Sequence, residues 1–259
     1  MIFYFKKSRR VFIIWSIILM VIGYMILPLH FKNGSNRLTA YVLVPVISVY
    51  LALYIGRLMG YKIFQESLLL LYQNMEVEKF IVELESMMKA RLSKKEKCLL
   101  IQHLSNGYIA AGDFHKAKSI LMDYMPLAEM LGADMEFTSN IISAMIQNGE
   151  IEQADITISD LKQAVSHEKN KGIKMRLQKT LAYQQACLET IKGSKKYCDV
   201  LENDFISSKS ILHKLNVSRC LLELYKADGY QEKQKNIKDY IKENGNQHYM
   251  VKKNYVENN

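Results

Sequence analysis

Apolar residues in this chain follow two patterns, and one gives way to the other near residue 57. Val11 to Leu29 and Leu38 to Gly56 are each uncharged runs of 19 residues, rich in Ile, Leu, Val and Met. At about 1.5 Å per residue, either run as a helix spans roughly 28 Å, close to the ~30 Å hydrocarbon core of a bilayer. Between them lie His30 to Arg37, including the turn-forming Asn33-Gly34-Ser35-Asn36. So short a connection makes the two helices antiparallel neighbours. The pattern predicts a two-helix transmembrane hairpin, with spans at about 11–29 and 38–56 inside an anchor of residues 1–59.

From about Leu58 onward the apolar positions recur every three or four residues. Phe80, Ile81, Leu84, Met87 and Met88 form one face of a helix expected from about Met75 to Arg91. Alternation of the kind a strand needs is not sustained anywhere. Turn residues stand at Asn74, Gly112-Asp113, Gly149-Glu150, Gly193-Ser194 and Asp228-Gly229, at spacings of 38, 37, 44 and 36 residues. A two-helix unit recurring at roughly 35–45 residues marks an α-solenoid. The expected fold is all-α: the hairpin, then about five helical hairpins over residues 60–245, then a polar, solvent-facing tail at 246–259. The helix running out of the second span is expected to continue unbroken to about Tyr72.

Charge sharpens the picture of the first segment. No Asp or Glu precedes Glu66, and residues 1–57 hold seven basic residues: Lys6, Lys7, Arg9, Arg10, Lys32, Arg37 and Arg57. The remainder has 28 basic against 26 acidic residues, so most of the formal +9 belongs to the anchor and a nucleic-acid partner is not indicated. The basic excess beside the outer ends of the spans places both termini in the cytoplasm of a multi-pass membrane protein. A cleaved signal peptide competes for the first run, but no small-x-small site follows it. No ionisable residue lies inside either span, which suits an anchor better than a transporter. Ser48, Ala52, Gly56 and Gly60 recur every four positions and form a row on one helix face. In lipid such a row permits close backbone approach, either to the first span at Gly23 or to a second copy of the chain.

The segment from Leu104 to Ala117 carries a denser pattern: Leu104-Ser105, then Asn106-Gly107-Tyr108, a turn at Gly112-Asp113-Phe114, and Ala117. Small Ser105 and Ala117 let two helices approach, Gly112 suits a positive φ, and Asp113 can cap the next helix. This pattern resembles a tetratricopeptide repeat (TPR). Weaker matches follow at Asn148-Gly149-Glu150 with Ala154, near Gly193, and at Asp228-Gly229; a generic array of helical hairpins is the other reading. The resemblance implies a concave protein-binding surface, whose residues would be Gln102 and Asn106 in the best unit and Asn140 in the next. Some TPR domains grip a terminal carboxylate with two Asn and several basic residues. Gln102 stands where a Lys would be, and Thr180 and Gln184 are not basic, which argues for another kind of peptide or protein.

Candidate chemistry is sparse. Cys98, Cys187, Cys198 and Cys220 are too scattered for a disulfide scaffold and lack zinc-ligand spacing. The six histidines form no paired motif, and no phosphate-binding or nucleophile-elbow sequence occurs. Charge runs such as Lys94-Lys95-Glu96-Lys97 read as solvated helix faces. Catalysis, cofactor and metal are therefore not expected. Two functions remain: a membrane-anchored cytoplasmic protein–protein interaction module, scaffold or adaptor, or a structural or assembly subunit of a membrane complex, in either case with a homo-oligomer or larger complex open.

Overall fold

The computed structural model describes residues 6–30, 34–90 and 92–252, with side chains described in 10–25, 42–90 and 92–252. Every regular element among these residues is an α-helix. The chain divides into two compact units, Met1–Ser67 with Ser86–Glu96, and Leu68–Glu85 with Lys97–Asn259.

The first unit contains α1 (Lys6–His30) and most of α2 (Gly34–Tyr72). Residues 31–33 of the expected connection and Arg91 lie outside the described residues, as do the side chains of 26–41. α2 runs 39 residues without a break, through Pro45, Gly56 and Gly60. Its outward side chains are apolar: Val42, Val46, Tyr50 and Tyr54 are all exposed. Among the described residues one helical stretch, Val42–Tyr72, is long and apolar enough to cross a membrane, and Arg10–Met25 is a shorter apolar helix. Ser48, Ala52, Gly56 and Gly60 are all buried. A Cβ built on Gly23 would come within 2.5 Å of Val44 Cγ1, so the α1 backbone touches α2 there.

Ser93 and Glu96 form a reciprocal cap at the start of α4 (Lys94–Ala111). The Glu96 carboxylate accepts from the Ser93 N–H at 2.9 Å and from its hydroxyl at 2.8 Å, and the Ser93 hydroxyl accepts from the Glu96 N–H. Glu96 is buried. The run read as a solvated face thus includes one carboxylate that satisfies helix-end donors.

The second unit takes in most of α3 (Val77–Met88) and of α4, then α5 (Phe114–Asp123), α6 (Met125–Leu131), α7 (Asp134–Asn148), α8 (Ile151–His167), α9 (Lys171–Ile191), α10 (Cys198–Ser207), α11 (Ile211–Asp228), α12 (Gln231–Asn244) and the short α13 (Tyr249–Lys252). Packing is regular: α7 lies on α8 and α9, α9 on α10 and α11, and α11 on α12. Phe80, Ile101, Leu121, Phe137, Ile158 and Leu188 are among the side chains fully withdrawn from water.

One turn recurs through this unit. A glycine with positive φ follows α4, α6, α7, α9 and α11, and the next N–H donates five residues back, as from Asp113 to Tyr108 and from Tyr230 to Tyr225. This is the Schellman closure of a helix end. Gly132 is the member that the hairpin spacing does not anticipate. Before it the chain breaks at Tyr124, with Pro126 in the first turn of α6, so α5 and α6 are separate helices. Gly172 lies in the first turn of α9, where the Asn170 side chain accepts from its N–H.

The expected solvent-facing tail is instead folded back as far as Lys252. His248, Tyr249 and Met250 are buried. The apolar surface of these residues outweighs the polar composition of the stretch around them.

Candidate interaction surface

The amides expected on a binding face are engaged inside the helix layer. Asn106 donates to the Tyr72 hydroxyl at 3.0 Å, and that hydroxyl lies 3.0 Å from His103 Nδ1. Withdrawal from water pulls the His103 pKa down to about 4. Asn140 on α7 donates to the Gln102 carbonyl and to the Ser105 hydroxyl, each at 3.2 Å. Gln102, Asn106 and Asn140 are therefore close neighbours, all half-buried, and two of them tie helices together. At the turn, Asp113 caps α5 by accepting from the Lys116 N–H, while Ala117 and Ala154 are fully buried. Gly112 and Gly149 both take positive φ.

A polar clasp occurs twice with identical spacing. The Tyr108 hydroxyl donates to Glu85 at 2.7 Å, and Lys116 both pairs with Glu85 at 3.4 Å and lies over the Tyr108 ring. The Tyr225 hydroxyl donates to Glu202 at 2.6 Å, and Lys233 pairs with Glu202 at 2.8 Å and lies over the Tyr225 ring. The two sets are offset by 117 residues at every position, and Gly112 and Gly229 share that offset. Burial first, then the carboxylate, pushes Tyr108 up to about 12, and Tyr225 rises for the same reasons. Lys233 first, then Tyr225, holds the Glu202 carboxyl below its ordinary range. The sequence signal is Tyr-x-x-x-Gly-x-x-x-Lys, present at 108–116 and 225–233.

Gln147, at the end of α7, joins three distant parts of the unit. Its carboxamide oxygen accepts from Arg219 of α11 at 3.1 Å and from the Tyr249 hydroxyl at 2.7 Å, and Arg219 also donates to its carbonyl. Around Tyr249 the return of the chain is extensive. Asn246 donates to the Asn74 carbonyl, the Gln247 N–H donates to Met75, and the Gln247 side chain accepts from the Glu78 N–H at 2.9 Å. Gln247 thereby serves an N–H in the first turn of α3 from 169 residues away. Tyr249 packs edge-on against Phe114 at 5.3 Å, and Lys252 pairs with Glu78 at 2.6 Å. Asn74 and Phe114 were marked as turn residues, but nothing in the spacing paired them with this stretch, whose one trace is the run His248-Tyr249-Met250-Val251 within a polar segment.

Two further features have the outline of a site. Ligand atoms of Cys198, Asp199 and Glu202 lie within 4.8 Å of one another, as a metal would require. Glu202, however, already accepts from Lys233, Tyr225 and Cys198, so an ammonium holds the place of a cation. The Cys198 thiol, raised to about 11 by burial and then by Glu202, is a poor thiolate ligand. A cavity of about 400 Å³ lies between α8, α9 and α10, lined mainly by Val165, Leu181, Ala182, Tyr197 and Val200. Lys162 and Ser166 also line it, but Lys162 donates to the Gln185 side chain and the Ser166 hydroxyl to the Gln163 carbonyl, each at 2.7 Å, not to one another. Comparison with protein-family models, with curated proteins and with solved structures returned no match.

Proposed function

We propose that this protein is a membrane-anchored, cytoplasmic protein–protein interaction module of TPR-like helical repeats. The observation that carries the reading is recurrence: one helix-ending turn occurs five times and one Tyr–Glu–Lys clasp twice. An array of that kind uses its core to join neighbouring hairpins and leaves helix faces as an extended surface for a partner. Anchoring is supported by α2, whose apolar side chains are exposed along Val42 to Tyr54, a surface that suits lipid. In this reading α1 and α2 cross the bilayer as a hairpin, with the basic residues at 6–10 and 57–62 on the cytoplasmic side. Ser48, Ala52, Gly56 and Gly60 then form the seam between spans. The inward use of Asn106 and Asn140 favours a protein or peptide partner over a carboxylate grip.

Full-length protein tests the proposal, in intact cells for topology and then purified from membranes in mild detergent for association. A cysteine reagent that cannot cross the membrane should label a cysteine placed at Ser35 from outside and one placed at Lys235 only after permeabilisation. Light scattering with added membrane extract should show saturable, reversible association. Association at fixed stoichiometry that survives salt would instead mark an assembly subunit, and labelling of both positions from the same side would overturn the hairpin.

A further inference from the structure

Gly245–Lys252 lies on the second unit as a bound peptide would. α13 has four residues, far below the length at which an isolated helix persists. What holds the segment is contact with residues distant in sequence. These are main-chain pairing of Gln247 with Met75, its carboxamide on the Glu78 N–H, the Tyr249 hydroxyl on Gln147, and its ring against Phe114. All of these are contacts that a separate peptide can make. The receiving loop is also strained: Met75 is fully buried with φ of 52°, a region an L side chain seldom adopts. The fit is incomplete at His248, which is fully buried with no hydrogen-bond partner for Nε2. Its other ring nitrogen is used: Nδ1 accepts from the buried Met250 N–H at 3.4 Å, so the ring also holds the segment's own turn.

We propose that the surface made by the Asn74–Glu78 loop, Phe114 and Gln147 is a peptide-binding site, and that Gly245–Lys252 is its cis ligand, displaced by a trans peptide carrying a tyrosine flanked by apolar residues. This rests on the reading of the second unit as an interaction module and names its ligand class. The tether through α12 gives the cis ligand a high effective concentration, so access for the trans peptide depends on its release or on tighter binding.

The test uses full-length protein in detergent and fluorescein-labelled synthetic peptides of residues 245–252. Protein terminated after Asn244 should bind the peptide saturably, and at least about tenfold more weakly when the peptide carries Tyr249→Ala, because it loses both a hydrogen bond and an aromatic contact. The intact protein, whose own segment fills the site, should bind little of either peptide. A folded truncated protein that takes up no peptide overturns the proposal. Where truncation prevents folding, the intact chain with Tyr249→Ala gives the same decision: uptake of the native peptide supports the cis ligand, and no uptake overturns it. Loss of peptide uptake with partner association preserved ends this proposal and leaves the module reading standing; loss of both ends both.

Discussion

Gly112 satisfies two constraints at once. Its φ of 81° is a conformation that a side chain disfavours, and a Cβ there would meet Tyr249 Cβ at 2.8 Å. Gly149, with φ of 82°, has open space around its missing Cβ. Gly149→Ala should cost about 1–2 kcal/mol for the left-handed backbone alone. Gly112→Ala adds a collision with a buried neighbour and should cost about 2–4 kcal/mol. Urea unfolding of the full-length variants in detergent checks this, and equal midpoint shifts would mean that Tyr249 does not sit against the turn. The backbone demand was legible, since Gly-Asp between two apolar periodic runs asks for a helix stop and a helix start. The close approach was not, because nothing local to Gly112 refers to residue 249.

At the scale of elements, α3–α4–α5 and α10–α11–α12 are stitched by the same three side chains. Neighbouring hairpins hide the repeat: Met145 and Gln153 stand where the α7–α8 unit would need Tyr and Lys, so comparing successive units finds only the turn. The clasp has a pH signature. Because the Glu202 carboxyl in the folded chain is held below its ordinary 4.5, its contribution to stability is fully present above that pH and is lost as pH falls through the depressed value. The melting temperature of the native chain should therefore exceed that of Glu202→Gln at about pH 6–7, and the gap should close below about pH 4.5. A gap independent of pH would show that Glu202 acts by shape alone. Helix existence and most turns were readable from spacing in this region. The role of Glu96 was not, since a carboxylate three residues after Ser93 reads equally as a capping partner and as one more charge in a basic run.

At the scale of the whole molecule, the long apolar helix was readable from the absence of charge. The closure of the second unit was not, because a contact across 169 residues leaves no period in the sequence. Arrays that touch only their neighbours loosen from their ends. Here Gln147 ties α7 to α11 and to the segment that reaches the first loop of the unit. Gln147→Leu removes the acceptor that Arg219 and Tyr249 share and should cost about 1–3 kcal/mol, the penalty for unpairing buried polar groups. Hydrogen exchange should then accelerate at Gln247–Lys252 and in α12 while α8 stays protected; uniform acceleration would mean that Gln147 serves only its own helix. The same return of the chain has a consequence in time. Glu78 is synthesised 169 residues before Gln247. At roughly 5–20 residues per second, about 8–34 s pass before the side chain that serves its N–H exists. During that interval the nascent chain already holds both apolar helices and nearly all of its hairpins, yet the loop at Met75 has no clasp and stays open to chaperones and proteases. Closure of this loop waits for translation of Asn246 and Gln247.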